Sequence, residues 1–367
     1  MYFSLFTTLA FLAFSQAASF QGIDDYWSFD VGAGQNADWM SNLADGTLLS
    51  SLSMPGTHRS LTHDFKYSVL RTQNEDLVQQ LNGGIRYIDI TCDYYKHGLE
   101  VFHAKCLTSY NLFKVFGTIN EFLDEHPRET VIIRMQTLIR PEEIKDSFKF
   151  FMHTRLNRDT VRRLYRKGTA GITSAPTLGE VRGKIFILQD FETSPPGLYG
   201  LPWNSDTVSS YSNTMTLSTF SLKSIWAGAQ SHFSEAPLTE SNKLRITYTT
   251  ASYGVYPINL AARNSPRSGM NKLLGEYLSN NDGDCFGIIV MDFPGQYLVQ
   301  QILKLNDKYL SLDIPGVPHD GADTSMADEA AHGTVNSDEV DSPATVEDDE
   351  ASPLLLHDTS GRQSSQI

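Results

Sequence analysis

Residues 101–135 read VFHAKCLTSYNLFKVFGTINEFLDEHPRETVIIRM. The hydrophobic period changes along this stretch. Leu112–His126 carries apolar residues at helical spacing and halts at Pro127, which cannot continue a helix. Thr130–Met135 (TVIIRM) is then a short apolar run rich in β-branched residues, as in a strand covered on both faces. Strand, helix and strand in succession predict an α/β unit with parallel strands.

Outward from this unit the same kind of run recurs. Arg86–Thr91 (RYIDIT) is a strand with Glu100–His103 as its return. Lys184–Leu188 (KIFIL), Leu244–Thr249 (LRITYT) and Phe286–Met291 (FGIIVM) are further strands. They alternate with helix-like stretches, and no internal repeat is present. One α/β domain over residues 23–313 is expected, a (β/α) barrel or a doubly wound sheet. Polar residues stand at the ends of these runs: Asp89 and Thr91, His103, Gln136 and Asp292. In a parallel barrel the carboxyl ends of the strands form the mouth where chemistry sits. Polar strand ends are also common without any function.

The flanks differ from this core. Residues 1–17 (MYFSLFTTLAFLAFSQA) hold an apolar run over Leu5–Phe14, about half the length a bilayer span needs. Small residues follow at Ser15, Ala17 and Ala18, so a secretory signal peptide is expected, and with it a secreted, extracellular protein. Residues 314–367 form a tail, acidic from Pro318 onward, with twelve acids and one arginine after that point. Its composition predicts disorder. The net charge of the whole chain is -14, of which the tail carries -11, so the remainder holds -3. A nearly balanced domain gives nucleic acid no electrostatic foothold. No segment is apolar enough for a transmembrane anchor, no N-glycosylation sequon occurs, and a monomer is expected. The three cysteines are Cys92, Cys106 and Cys285. A Cys92–Cys106 disulfide across the hairpin and three free thiols are both compatible with the spacing, which fits no zinc motif.

Ser51–Ser60 reads SLSMPGTHRS, where Pro55-Gly56 is read as a tight turn ahead of His58. His58 and His103 together can divide acid–base work, since imidazole titrates near neutral pH. Such a pair suits cleavage of a phosphodiester by an internal hydroxyl, one imidazole taking the proton and the other delivering one. A carboxylate behind the first would fix its tautomer; Asp292 is the candidate. His63 and Asp64 lack the further ligands a metal site needs and read as loop residues.

PGTH at 55–58, TQNEDLVQQLNGGIRYIDI at 72–90, the stretch 101–135, RGKIFIL at 182–188 and GIIVMDFPG at 287–295 follow in order. With them the chain from about Leu48 to Leu305 resembles the phosphatidylinositol-specific phospholipase C X-domain family, in its small secreted form. The resemblance implies a distorted (β/α) barrel of the TIM type. It implies attack of the inositol 2-hydroxyl on phosphorus, release of diacylglycerol and a cyclic inositol phosphate. It implies His58 as general base, Asp292 as its partner and His103 as general acid. The departures are specific. Arg59 stands where the family has an aspartate supporting the acid. Thr91 stands where it has a phosphate-clamping arginine, and Asp190 where some members have an inositol-contacting arginine. Thr91 and Gln136 are neutral where calcium-dependent relatives are acidic, and Asp89 alone makes no calcium cage, so neither metal nor cofactor is expected. Arg59 is expected to supply the missing positive charge. Arg86 is the second choice, or else a structural ion pair. Trp203 and Trp226 are either membrane contacts or core. Three functions remain open: a phosphodiesterase acting on phosphatidylinositol or an inositol glycolipid at a membrane surface, one acting on other lipids or glycerophosphodiesters, and a non-catalytic lipid-binding module.

Overall fold

The computed structural model describes residues 19–20, 23–24, 26–96, 98–137, 162–167, 171–193, 196–213, 222–235, 243–251, 256–262, 269–281 and 285–311. The expected signal peptide (1–17) and acidic tail (314–367) lie outside them. The chain divides into Met1–Pro315 and Gly316–Ile367, and every described residue belongs to the first unit.

Ten strands build its main sheet: Met54–Thr57 (β1), Tyr87–Tyr95 (β2), Gly98–His103 (β3), Cys106–Asn111 (β4), Val131–Gln136 (β5), Ile185–Asp190 (β6), Leu201–Pro202 (β7), Val208–Asn213 (β8), Leu244–Ala251 (β9) and Ile288–Met291 (β10). Their order is β8-β9-β10-β1-β2-β5-β6-β7, with the hairpin β3–β4 attached beside β2. Every pairing along that path is parallel, and only the hairpin is antiparallel. Among the described residues β7 and β8 do not pair, so the curled sheet is a barrel left open on one side. Helices Leu77–Asn82 (α1), Leu112–Glu125 (α2), Leu178–Val181 (α3), Leu222–Phe233 (α4), Pro257–Ala261 (α5), Met270–Ser279 (α6) and Gln296–Lys304 (α7) accompany it. The expected barrel of an α/β domain is what forms.

The helix α2 starts where the Asn111 side chain accepts from the Lys114 N–H and stops at His126, before Pro127. It buries Leu112, Val115, Phe116, Ile119, Phe122 and Leu123, a stripe of helical spacing, against Ile88, Ile90, Ile133 and Met135 of the sheet. These strand residues face outward. The alternate residues Met54, Tyr87, Ile132, Phe186, Leu188, Ile246, Ile288 and Val290 form a second, interior core. Both faces of the strands are buried, as their apolar runs predict, yet the two-residue period still sorts them.

Pro55-Gly56 is not a turn. Both residues lie inside β1. Glycine is required there because a Cβ would stand 2.7 Å from the Tyr87 ring of β2. Nor is there a disulfide: all three thiols are free, with Cys92 buried and Cys106 exposed. Cys92 pairs across with Val101, and Cys106 with His103. Strand β3 lies between them, so two inter-strand spacings of roughly 5 Å exceed the reach of a disulfide.

Arg86 is fully buried at the foot of β2. Its Nε and Nη2 lie 2.9 Å from Glu129 Oε2, its Nη1 donates to the Leu81 and Ile85 carbonyls, and its guanidinium covers the Phe122 ring. Glu129 also accepts from the Met40 N–H. This pair ties the amino-terminal segment to β2 and the loop before β5. As a ligand for substrate phosphate Arg86 is therefore ruled out, and the structural ion pair is the correct reading. Breaking such a pair strands a buried charge, which costs about 3–5 kcal/mol. Arg86→Ala and Glu129→Ala should each lower the unfolding free energy by about that amount in denaturant titrations. Losses below roughly 1 kcal/mol in both would contradict the assignment.

Candidate active site

The interior register carries polar residues above the apolar layer. His58 follows Met54 and Gly56 beyond β1, Asp89 follows Tyr87 in β2, and Asp292 follows Ile288 and Val290 beyond β10. Gln136 and Asp190 end β5 and β6 opposite each other. All stand at the carboxyl ends of parallel strands, so the mouth holds the site.

His58 Nδ1 lies 3.0 Å from Asp292 Oδ1, with both residues buried. The N–H donates to the carboxylate, which leaves Nε2 as the basic nitrogen. Burial pushes the Asp292 carboxyl above its ordinary range, opposed by His58 and Arg59. The loop bearing His58 is clamped from several sides. Thr72 Oγ1 and Gln73 Nε2 donate to the His58 carbonyl, and Gln73 Nε2 also reaches the Met291 carbonyl. Gln80 Nε2 donates to the Ser60 carbonyl, and Ser60 Oγ accepts from the Asp89 N–H. This clamp holds Arg59 at φ 44°, a left-handed conformation that costs a non-glycine residue energy and recurs at functional sites. The two glutamines are positioning residues to which sequence reasoning gave no role; their polarity inside TQNEDLVQQL was the available signal.

His103 ends β3 at a two-residue turn in which Ala104 and Lys105 both have positive φ, 49° and 66°. Hairpins of that kind favour Asn-Gly, so this one is strained beside the candidate acid. The His103 ring stacks on Phe65, and Nδ1 is buried without a hydrogen bond among the described residues. Burial, then the charges of Arg59 and His58, lower its pKa to about 3. Arg59, Asp89, Thr91 and His103 line one small pocket. Arg59 makes no ion pair with a described carboxylate, so its charge is available to that pocket. No carboxylate supports His103 where the family resemblance placed one, because that position is Arg59.

Gln136 Nε2 donates to Asp89 Oδ1 at 3.0 Å. Asp190 is held by a residue that sequence reasoning missed, Arg134, whose Nη2 and Nε lie 2.8 and 3.2 Å from Asp190 Oδ2. Arg134 Nη1 also donates to Tyr248 at 2.7 Å, and its guanidinium lies over the Trp203 ring. The signal was the period of two: Arg134 precedes Gln136 by two and is in register with Asp89. Trp203 packs against the interior core beneath Arg134, and Trp226 packs near Ile225 and Phe233. Neither is a free membrane contact. His63 is half-buried against Tyr110. No cluster suited to a metal ion occurs among the described residues.

The mouth of this open parallel barrel thus holds a carboxylate-backed histidine, a second histidine and an arginine with no ion pair among the described residues. Residues 55–190 match the family model "Phosphatidylinositol-specific phospholipase C, X domain". A 1-phosphatidylinositol phosphodiesterase of Listeria monocytogenes is 28% identical over 285 residues, 73% of this chain and 84% of that protein. One of Staphylococcus aureus is 27% identical over 157 residues, and the match spans 49% of its length. The solved phosphatidylinositol-specific phospholipase C from Listeria monocytogenes superposes with a TM-score of 0.63, covering 74% of this chain and 99% of that one. The Staphylococcus aureus enzyme, at 17% identity and TM-score 0.60, shares the fold.

The state of His103 has a measurable consequence. Its pKa is lowered in the folded protein, so the unfolded chain takes up a proton first, near pH 6.5. Stability is fully present above that pH and falls as pH drops toward about 3. Replacing His103 by Asn should flatten the acid limb of the stability–pH curve. In Arg59→Ala the His103 ring should titrate at higher pH by NMR. An unchanged titration would remove Arg59 as a cause.

Proposed function

We propose that the protein is a phospholipase C-type phosphodiesterase that cleaves an inositol phospholipid by internal attack. The observation carrying this reading is the His58–Asp292 pair, which leaves a basic Nε2 in a mouth shared with Arg59 and His103. His58 Nε2 accepts the proton of the headgroup hydroxyl adjacent to the phosphate. That oxygen bonds to phosphorus, and the phosphorus–glycerol oxygen bond breaks. His103 protonates the leaving alkoxide, giving diacylglycerol and a cyclic phosphate. Arg59 stabilises the extra negative charge that develops on the phosphoryl oxygens.

His103 is neutral at pH 7 in the free protein. A bound phosphodiester anion offsets the repulsion from Arg59 and attracts a proton to the imidazole. Binding substrate thus charges the acid, which links Arg59 and His103 in one step. Replacement of either histidine by Ala should lower turnover by about 10²–10⁴-fold. Arg59→Ala should lose about 10²–10³-fold while keeping its melting temperature. Loss of a few-fold or less in Arg59→Ala would leave the phosphate charge without its proposed partner. The product from purified protein and phosphatidylinositol, with and without chelator, decides the headgroup and the metal independence. Only an inositol lipid yields cyclic inositol phosphate, and a chelator-sensitive reaction would overturn the metal-free route.

The substrate lies in a bilayer, and the rim beside His103 suits one. Tyr67, Val69 and Leu107 are exposed, with exposed Lys66 and Lys105 next to Tyr67 and the His103 turn. The loop carrying Tyr67 is anchored to the hairpin by the Phe65–His103 stack. Apolar contacts among lysines fit an anionic surface. The leader-like residues 1–17 support a secreted protein that meets this surface from outside the cell. Tyr67→Ser/Leu107→Ser should weaken binding to vesicles containing phosphatidylserine. Unchanged sedimentation with such vesicles would exclude this rim as the contact.

A further inference from the structure

His58 and Asp292 are each followed by a residue in the left-handed conformation, Arg59 at φ 44° and Phe293 at φ 47°. Neither is glycine, so each turn costs energy and persists only where its surroundings hold it. The turn after His58 is clamped by Thr72, Gln73 and Gln80. The turn after Asp292 is held by a different side chain, Asn271, in the first turn of α6.

Asn271 is 1% exposed and lies among Met270, Leu274 and Leu278 on the buried face of its helix. Its Nδ2 stands 3.0 Å from the Asp292 carbonyl, 3.0 Å from the Phe293 carbonyl and 2.9 Å from Ser28 Oγ. An amide nitrogen carries two hydrogens, so three acceptors share them. Asn271 Oδ1 is buried with no hydrogen bond among the described residues. Leaving that oxygen dry is costly. The flipped amide would be worse, because it would set the oxygen against two carbonyls. The side chain is therefore present for what it donates.

The two carbonyls belong to successive residues and converge on one nitrogen. Without a donor between them they would repel. The rest of the turn is pinned through the backbone. The Phe293 N–H donates to the Thr72 carbonyl, the Phe29 N–H to the Phe293 carbonyl and the Gly295 N–H to the Trp27 carbonyl. Of these contacts only that of Asn271 reaches the Asp292 carbonyl itself. The backbone fixed at that carbonyl limits where the Asp292 side chain can lie, and its carboxylate meets His58 Nδ1 at 3.0 Å. We propose that Asn271 is a positioning residue for the base: by holding the Asp292 and Phe293 carbonyls it keeps the Asp292 carboxylate behind His58. The inference rests on the phosphodiesterase reading and adds to it a residue that acts only through Asp292.

The test combines kinetics on phosphatidylinositol with NMR of the substrate-free full chain. Asn271→Ala removes the donor, and Asn271→Ser keeps a shorter one. In Asn271→Ala kcat should fall by about 100-fold, the loss expected from a misplacement of roughly 1 Å, with KM changed by about twofold or less. Asn271→Ser should fall less. The decisive comparison is Asn271→Ala in the Asp292→Asn background. A residue that acts through Asp292 should cause no further loss there, whereas independent effects multiply. In the free wild-type protein the His58 Nδ1–H should give a resolved signal, protected from exchange by its bond to buried Asp292. That signal should broaden or vanish in Asn271→Ala and weaken in Asn271→Ser. Losses that multiply in the double variant would show that Asn271 only supports the fold and would overturn the proposal. A wild-type His58 signal in Asn271→Ala, or in Asn271→Ser where Asn271→Ala does not fold, would overturn it as well, and so would failure of both variants to fold. If the wild-type protein releases no cyclic inositol phosphate, the phosphodiesterase reading fails by itself, while the His58 signal still tests what Asn271 does.

Discussion

A curled parallel sheet turns every second side chain of each strand toward one interior. The floor of that interior is apolar and buried. Met54, Tyr87, Ile132, Phe186, Ile246 and Val290 supply the floor. The next inward position on the other strands, and on β1 the one beyond Gly56, is already at the carboxyl end, where water and ligand enter. His58, Asp89, Arg134, Leu188, Tyr248 and Asp292 occupy that tier. The polar ones can be placed there only because the layer beneath them excludes water. Their charges then act on one another at short range in a poorly screened space. The upward shift of Asp292 follows first from its burial there, and the downward shift of His103 first from burial in the adjoining hairpin.

This constraint explains which parts of the molecule are legible in the amino-acid sequence. Strands of the β5 kind announce themselves by continuous apolar runs, and α2 by its stripe and by Pro127. The order of the motifs carries the barrel and the pairing of His58, His103 and Asp292. Three features are misread for local reasons. Pro55-Gly56 resembles a turn in isolation, yet the close approach of β1 and β2 needs glycine within a strand. Cys92 and Cys106 flank a hairpin in sequence, but the intervening strand separates them. Arg134 is hidden because a run buried on both faces conceals its own alternation. Only the pairing with Asp89 shows that an arginine inside TVIIRM faces the mouth.

Charge has been rearranged in this mouth and not simply removed. The family resemblance places arginines at the positions of Thr91 and Asp190 and an aspartate at that of Arg59. In this chain a guanidinium sits at Arg59, on the loop after His58, and another at Arg134, on β5. The first makes no ion pair among the described residues and shares a pocket with His103, so it is placed to act on an anion that enters it. The second is paired with Asp190 and bonded to Tyr248, so its field is partly offset. In the reaction proposed above, the first is therefore the arginine suited to a charged transition state.

The same division bears on proton transfer. An aspartate beside His103 would favour the charged imidazole; here burial first, and then Arg59 and His58, favour the neutral one. The cost is a weaker resting acid. The gain is that the protonated state, the phosphate and the arginine are assembled together, with the proton attracted by the charge that later needs it. His58 escapes this coupling because Asp292 is buried behind it and not shared with the pocket. In the reaction proposed above, base and acid are thus set by different neighbours: a fixed internal carboxylate for one, the substrate's own phosphate for the other.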